Sequence, residues 1–141
     1  MVKNPTKIIS EEEVKNRLSP LFKKEGLRLV ILFGSTISGE VHKKSDIDIA
    51  FLFDKPVNIL ELTNTVMRLL HTNNVDVVDL RRASPLLKFS TVVKGKLLYE
   101  KGPGMFNEFS SLAFRMYVDT KKLRDAHMIT IKNYLEKRGI A

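Results

Sequence analysis

The feature that most constrains the fold is a seven-residue apolar run, Leu27 to Phe33, which is rich in β-forming residues and interrupted only by Arg28. A strand that is apolar at nearly every position is typical of one that is covered on both faces. Gly34 and Ser35 follow directly, and a glycine at this point allows the backbone to turn sharply. The run therefore predicts a central strand that ends in a tight turn.

Helical periodicity precedes this strand and recurs after it. Ser10 followed by Glu13 has the pattern of a capping box, at the start of a helix that Pro20 should kink and Gly26 should end. Two later helices have similar end signals and are expected over about Ile59 to His71 and between Ser84-Pro85 and Gly95. They separate three more expected strands: Asp46 to Phe53, Val75 to Leu80, and Lys96 to Glu100.

The C-terminal part of the chain has the periodicity of a long helical segment, over about residues 105–138, with an interruption considered near Val118-Asp119. The resulting order, α-β-loop-β-α-β-α-β-α, predicts an α/β (α+β) fold in which helices flank a small mixed sheet. A chain of 141 residues can bury one sizeable core. We therefore expect a single domain over residues 1–141, with a catalytic core at about residues 10–100.

Composition restricts the kinds of function. Cysteine is absent, so a bound metal would depend on oxygen ligands or on the three histidines. No window has the apolar run of a membrane span or a signal peptide, and we expect a cytoplasmic protein without a membrane segment. The net charge of +8 would attract a nucleotide or an acidic partner. Because interleaved stacking aromatics are missing, a nucleic acid is not expected as the direct substrate.

Two aspartates open the second strand. Asp46 and Asp48 lie two residues apart, so their side chains point to one face, with Cα atoms about 6.6 to 7 Å apart. This spacing suits a hard cation such as Mg²⁺, although a solvated strand edge is the alternative. The turn at Gly34-Ser35 suits phosphate oxygens, because it offers backbone N–H groups and a hydroxyl. Together these features predict metal-assisted chemistry on a nucleotide.

The same residues resemble a known signature. Gly34-Ser35, ten intervening residues, and Asp46-x-Asp48 before an apolar strand are similar to the motif of the DNA polymerase β nucleotidyltransferase superfamily, in its minimal stand-alone form. The likeness covers most of Leu27 to Glu100 and is greatest to the MntA-type antitoxins, which act opposite HEPN-domain toxins. It implies a polymerase β-like fold, ATP as a substrate and Mg²⁺ as cofactor, with two ions. The implied reaction moves AMP from ATP to a tyrosine of the HEPN toxin and so silences an RNase.

The resemblance also implies roles for particular residues. It assigns the nucleotide to Gly34, Ser35 and Ser45, and the metal and catalysis to Asp46 and Asp48.

A third carboxylate is expected from the next strand, where Asp76 and Asp79 compete and lie on opposite faces. Asp76 is preferred, because the family places this acid early in a Val-Asp-Val-Val run. Asp79 could instead pair with Arg81 or Arg82.

Two other functions remain open at this point. One is transfer of a nucleotide to a small molecule such as an aminoglycoside, although enzymes of that kind usually add a second helical domain. The other is a non-catalytic antitoxin that only binds its toxin. The intact Asp46 and Asp48 argue against this second alternative.

Overall fold

The computed structural model describes residues 10–33 and 47–139. Within them, the helices are α1 (Glu11–Leu18), α2 (Ile59–Leu70), α3 (Pro85–Lys94) and α4 (Met105–Lys137). The strands are β1 (Leu27–Phe33), β2 (Ile47–Phe53), β3 (Val75–Asp79) and β4 (Lys96–Glu100). The predicted element order and the small mixed sheet are confirmed.

The strands form one sheet in the order β3-β2-β1-β4. β1 is antiparallel to both of its neighbours, and β2 is parallel to β3. The predicted burial of β1 on both faces is confirmed, because only Arg28 and Phe33 in this strand are not buried. The Arg28 side chain is exposed and lies 4.0 Å from the Asp54 carboxylate. The apolar run is therefore the consequence of a strand with helices on both sides.

Each face of the sheet has its own helical cover. On one face, α1 and α2 pack against a core that includes Ile49 and Phe51 of β2. On the other face, α3 and α4 cover a smaller core that includes Ile31 and Ala50. Successive residues of β2 thus alternate between two different cores.

Local end signals position the helices largely as predicted. The hydroxyl of Ser10 accepts the Glu13 N–H at 3.1 Å, which caps α1. The kink expected at Pro20 is instead the end of the helix, since α1 stops at Leu18 and a 3₁₀ turn covers Ser19–Lys23. Proline has no N–H to continue the helical hydrogen bonds. The hydroxyl of Ser19 donates to the Asn16 carbonyl at 2.8 Å at this helix end.

Helix α4 is continuous, so the interruption considered near Val118-Asp119 is absent. Two side chains reinforce this region: Thr120 Oγ1 donates to the Met116 carbonyl at 2.9 Å, and Arg124 Nη2 donates to the Tyr117 carbonyl at 3.3 Å. With 33 residues, α4 is about 50 Å long.

Neither α4 nor any other helix among the described residues combines the length and apolar character needed to cross a membrane.

Candidate active site

The parallel pairing of β2 with β3 brings two predicted site residues side by side. Asp48 is in register with Asp76, so both side chains leave the sheet on the same face, from strands about 4.8 Å apart. Ala50 and Val78, two residues farther along each strand, belong to the core under α3 and α4. The aspartates therefore lie on the α3–α4 face, at the end of the sheet where β2 and β3 begin.

Strand β1 ends beside the same pair of aspartates. Phe33, its last residue, pairs with Asp48 in the antiparallel β1–β2 ladder. The Phe33 side chain is half-buried and packs on the core of the α3–α4 face. Gly34 follows Phe33 along the chain. The predicted phosphate-binding turn therefore begins, in the sequence, directly after the residue that pairs with Asp48.

Four of the predicted site residues, Gly34, Ser35, Ser45 and Asp46, lie outside the described residues, and their roles remain predictions. Ile47, which follows Asp46 in the sequence, donates its N–H to the Asn74 carbonyl at 2.8 Å. This hydrogen bond joins the start of β2 to the segment that precedes β3. It supports the register that places Asp48 beside Asp76.

The two candidates for the third carboxylate have different surroundings. Asp79 is in register with Phe51, on the α1–α2 face of the sheet. Its Oδ1 accepts the N–H of Arg81 at 3.0 Å, which stabilises the turn after β3. Arg81 follows the far end of β3, so it lies at the opposite end of this strand from Asp76. The register brings Asp76, and not Asp79, next to Asp48.

The available donors suit a hard divalent cation. Asp48 and Asp76 supply carboxylate oxygens, which Mg²⁺ prefers over nitrogen or sulfur ligands. Two carboxylates on adjacent strands would also repel each other less with a cation between them. Across residues 10–33 and 47–139, no group of three or more His, Cys, Asp or Glu side chains could hold a metal ion. Asp46, which lies outside the described residues, remains the sequence candidate for a further acidic ligand.

A groove at the C-terminal end of α2 was not predicted from the sequence. The groove has a volume of about 620 Å³ and is open to solvent; it is lined by Asn64, Met67, Arg68, His71, Thr72 and Asn73. His71 ends α2 in the left-handed conformation, with φ of 57°. Because β3 begins directly after this segment, the groove lies at the same end of the sheet as Asp76. The paired Asn73-Asn74 was the available signal, but it indicates only a turn.

Comparisons with known proteins identify a nucleotidyltransferase family and individual relatives. The sequence model of the family described as polymerase beta, nucleotidyltransferase, matches residues 16–103. The protein adenylyltransferase MntA of Aphanizomenon flos-aquae is 27% identical over 126 residues, which span 81% of this chain and 84% of that protein.

Two chains from solved structures are similar to this chain over most of their own length. A toxin–antitoxin crystal structure with AMP-PNP contains a chain with 31% identity and a TM-score of 0.74, covering 84% of this chain and 98% of that chain. A second similar chain comes from the complex of a tri-AMPylated Shewanella oneidensis HEPN toxin with its MNT antitoxin. It has 28% identity and a TM-score of 0.69, and it covers 86% of this chain and 98% of that chain.

Proposed function

This chain belongs to the polymerase β nucleotidyltransferase family, and we propose that it transfers AMP from ATP to a hydroxyl group with Mg²⁺ as cofactor. The observation that carries the proposal is the register of Asp48 with Asp76, beside the end of β1. The adenylyltransferase name of the Aphanizomenon relative and the AMP-PNP in a similar complex support ATP as the donor.

The proposed acceptor is a tyrosine of a HEPN toxin, which makes this chain the antitoxin of a pair. The toxin in the Shewanella complex carries three AMP groups, which supports a toxin side chain as the acceptor in this family branch. The tyrosine itself is implied by the resemblance to MntA-type antitoxins. AMP on the toxin would place a bulky anionic group on a protein that acts on RNA, and so oppose RNA binding.

The proposed site residues divide between the triphosphate and the cation. The triphosphate is bound by Gly34, Ser35 and Ser45, and the cation by Asp46, Asp48 and Asp76. A Mg²⁺ ion held by these carboxylates would offset the charge of the phosphates and favour loss of the proton from the attacking hydroxyl. The hydroxyl oxygen attacks the α-phosphorus, and the bond to pyrophosphate breaks.

Asp48 and Asp76 differ in exposure, which suggests different roles for them in the reaction. Asp48 is half-buried on an inner strand, whereas Asp76 is exposed on β3, the outer strand of the sheet. An acceptor protein can approach the sheet edge at β3 without crossing the core. Asp76 is therefore the residue that we expect to orient the acceptor hydroxyl and to receive its proton.

The direct test takes the product of any HEPN-type reading frame found beside the gene as the candidate toxin. It incubates this toxin with the protein, ATP and Mg²⁺, and measures the mass of the intact toxin. The expected result is a mass increase of one or more AMP groups, which disappears with EDTA. An unmodified toxin would contradict the proposal, and AMP on an aminoglycoside instead would support the small-molecule alternative.

Calorimetry tests the cofactor separately. ATP should bind more tightly with Mg²⁺ than with EDTA, because carboxylates repel a bare triphosphate. Equal affinity in the two conditions would contradict a role for Mg²⁺ in ATP binding.

A further inference from the structure

The second half of α4 has little tertiary packing within the described part of the chain. From Lys121 to Lys137 every residue is exposed, apart from the half-buried Arg124 and Leu135. The Arg124 guanidinium contacts its own helix, where it lies over the Tyr117 ring at 4.4 Å from the centroid. Helical propensity alone stabilises a segment of this length only marginally.

An apolar stripe runs along this exposed half. Leu123, Ile131 and Tyr134, which we call the distal stripe, fall within about 80° of one another around the helix axis. Their exposed fractions are 71%, 42% and 54%. The stripe is in line with Phe109 and Ala113, which face the sheet in the first half of α4. The side of the helix that packs on the core thus continues beyond the core as an apolar surface.

The members of the distal stripe are eight and three residues apart, spacings that keep them on one side of the helix, as the apolar side chains of a helix-mediated protein interface are. The Arg138 guanidinium lies over the Tyr134 ring, 4.8 Å from its centroid, so a positive charge adjoins the stripe at one end. A partner that covered the stripe would bury apolar area and stabilise this half of α4.

The charge of residues 121–138 helps to decide which partner covers the distal stripe. The two candidates are a second copy of this chain and a different protein. Residues 121–138 contain six Lys or Arg side chains and two Asp or Glu side chains. Two copies packed stripe to stripe would bring two surfaces of the same net charge together, which disfavours association. A partner with acidic side chains around an apolar patch is attracted by the same charges.

We propose that the distal stripe is the docking surface for the HEPN toxin, which contacts it through an apolar patch bordered by Asp and Glu side chains. This inference rests on the proposed function, in which that toxin is the AMP acceptor. The stripe contains none of the assigned site residues. It therefore sets how tightly the acceptor is held, and leaves the rate of transfer within the bound complex unchanged.

Two isoleucines of α4 provide a matched test. Ile131 belongs to the distal stripe, whereas Ile129, two residues earlier, lies about 200° around the helix from it. Their exposed fractions are 42% and 59%. The substitutions Ile131→Gln and Ile129→Gln remove the same kind of side chain from the same helix, so they differ mainly in the side of the helix that is changed.

The experiment measures toxin affinity by calorimetry, and the kcat and KM of AMP transfer with the toxin as the varied substrate. Ile131→Gln should weaken toxin binding and raise KM by about tenfold, whereas Ile129→Gln should stay within about twofold of wild type. Both variants should keep the wild-type kcat, Mg-ATP affinity and helical circular dichroism.

Three outcomes would overturn the inference in different ways. Equal toxin affinity of the two variants would remove the stripe as the docking surface. A wild-type dimer in light scattering that Ile131→Gln converts to monomer, with toxin affinity unchanged, would assign the stripe to a second copy. A wild-type protein that neither binds nor modifies the toxin would reject the proposed function together with this inference, before any variant is compared.

Discussion

The end of the sheet around Asp48 and the distal half of α4 are built in opposite ways. Asp48 lies on an inner strand whose neighbours on both sides are hydrogen-bonded to it, and a core lies on each face of the sheet. The distal half of α4 is exposed and presents its apolar side chains to solvent. The difference indicates a division of labour, because transfer chemistry requires fixed positions and recognition requires an uncovered surface.

The largest expected effect on AMP transfer is that of a substitution at Asp48. Asp48→Asn should lower AMP transfer by about a thousandfold, or about 4 kcal/mol of transition-state stabilisation, since a neutral amide replaces a charged metal ligand. Thermal melting in EDTA and with Mg-ATP shows whether the variant stays folded, which separates a loss of transfer from a loss of structure. Asp54→Asn, one residue beyond the C-terminal end of β2, serves as the control. Near-wild-type transfer by Asp48→Asn would defeat the catalytic assignment.

A second prediction compares the stability of the two regions directly. Ile49 is fully buried in the sheet, whereas Ile129 is 59% exposed on α4. Ile49→Ala should lower the free energy of unfolding by about 3 kcal/mol, and Ile129→Ala by less than about 0.5 kcal/mol. Urea denaturation measures both values. Similar losses for the two variants would show that the distal half of α4 is packed as firmly as the sheet, and the contrast between the two regions would be wrong.

The third prediction removes the distal half of α4. A chain that ends before Lys121 should still bind Mg-ATP, because the assigned site residues all precede this point, while its toxin affinity should fall by about ten- to a hundredfold. Calorimetry with each ligand gives both numbers. If circular dichroism shows that the shortened protein is unfolded, this half of the helix serves the fold instead of recognition.

Much of the fold could be predicted from local sequence patterns. The bounds of β1 and β4 follow from short apolar runs between clear breakers such as Gly26, Gly34 and Gly95. The opposite faces of Asp76 and Asp79 follow from the two-residue period of a strand. Which of these two aspartates lies beside Asp48 could not be derived in this way, because the β2–β3 register depends on pairing between distant segments.

Two errors have local physical causes. The apolar periodicity of α4 becomes weaker past Val118, where the residues are mostly exposed, and this weaker pattern is the reason that an interruption was considered there. At Pro20 the sequence signal for a kink was correct in position, but the chain continues as a 3₁₀ turn instead of a bent α-helix. The roles of Gly34 and Asp46 remain predictions from the motif.

The central claim is that the β2–β3 register forms the active site from Asp48 and Asp76. The most direct measurement compares the AMP-transfer rates of Asp76→Asn and Asp79→Asn, two isosteric changes on one strand. Asn at position 79 keeps a side-chain oxygen that can accept the Arg81 N–H, so both variants should melt close to wild type. We predict a loss of about a hundredfold or more for Asp76→Asn and less than about threefold for Asp79→Asn. A larger loss for Asp79→Asn, or near-wild-type transfer by Asp76→Asn, would contradict this claim.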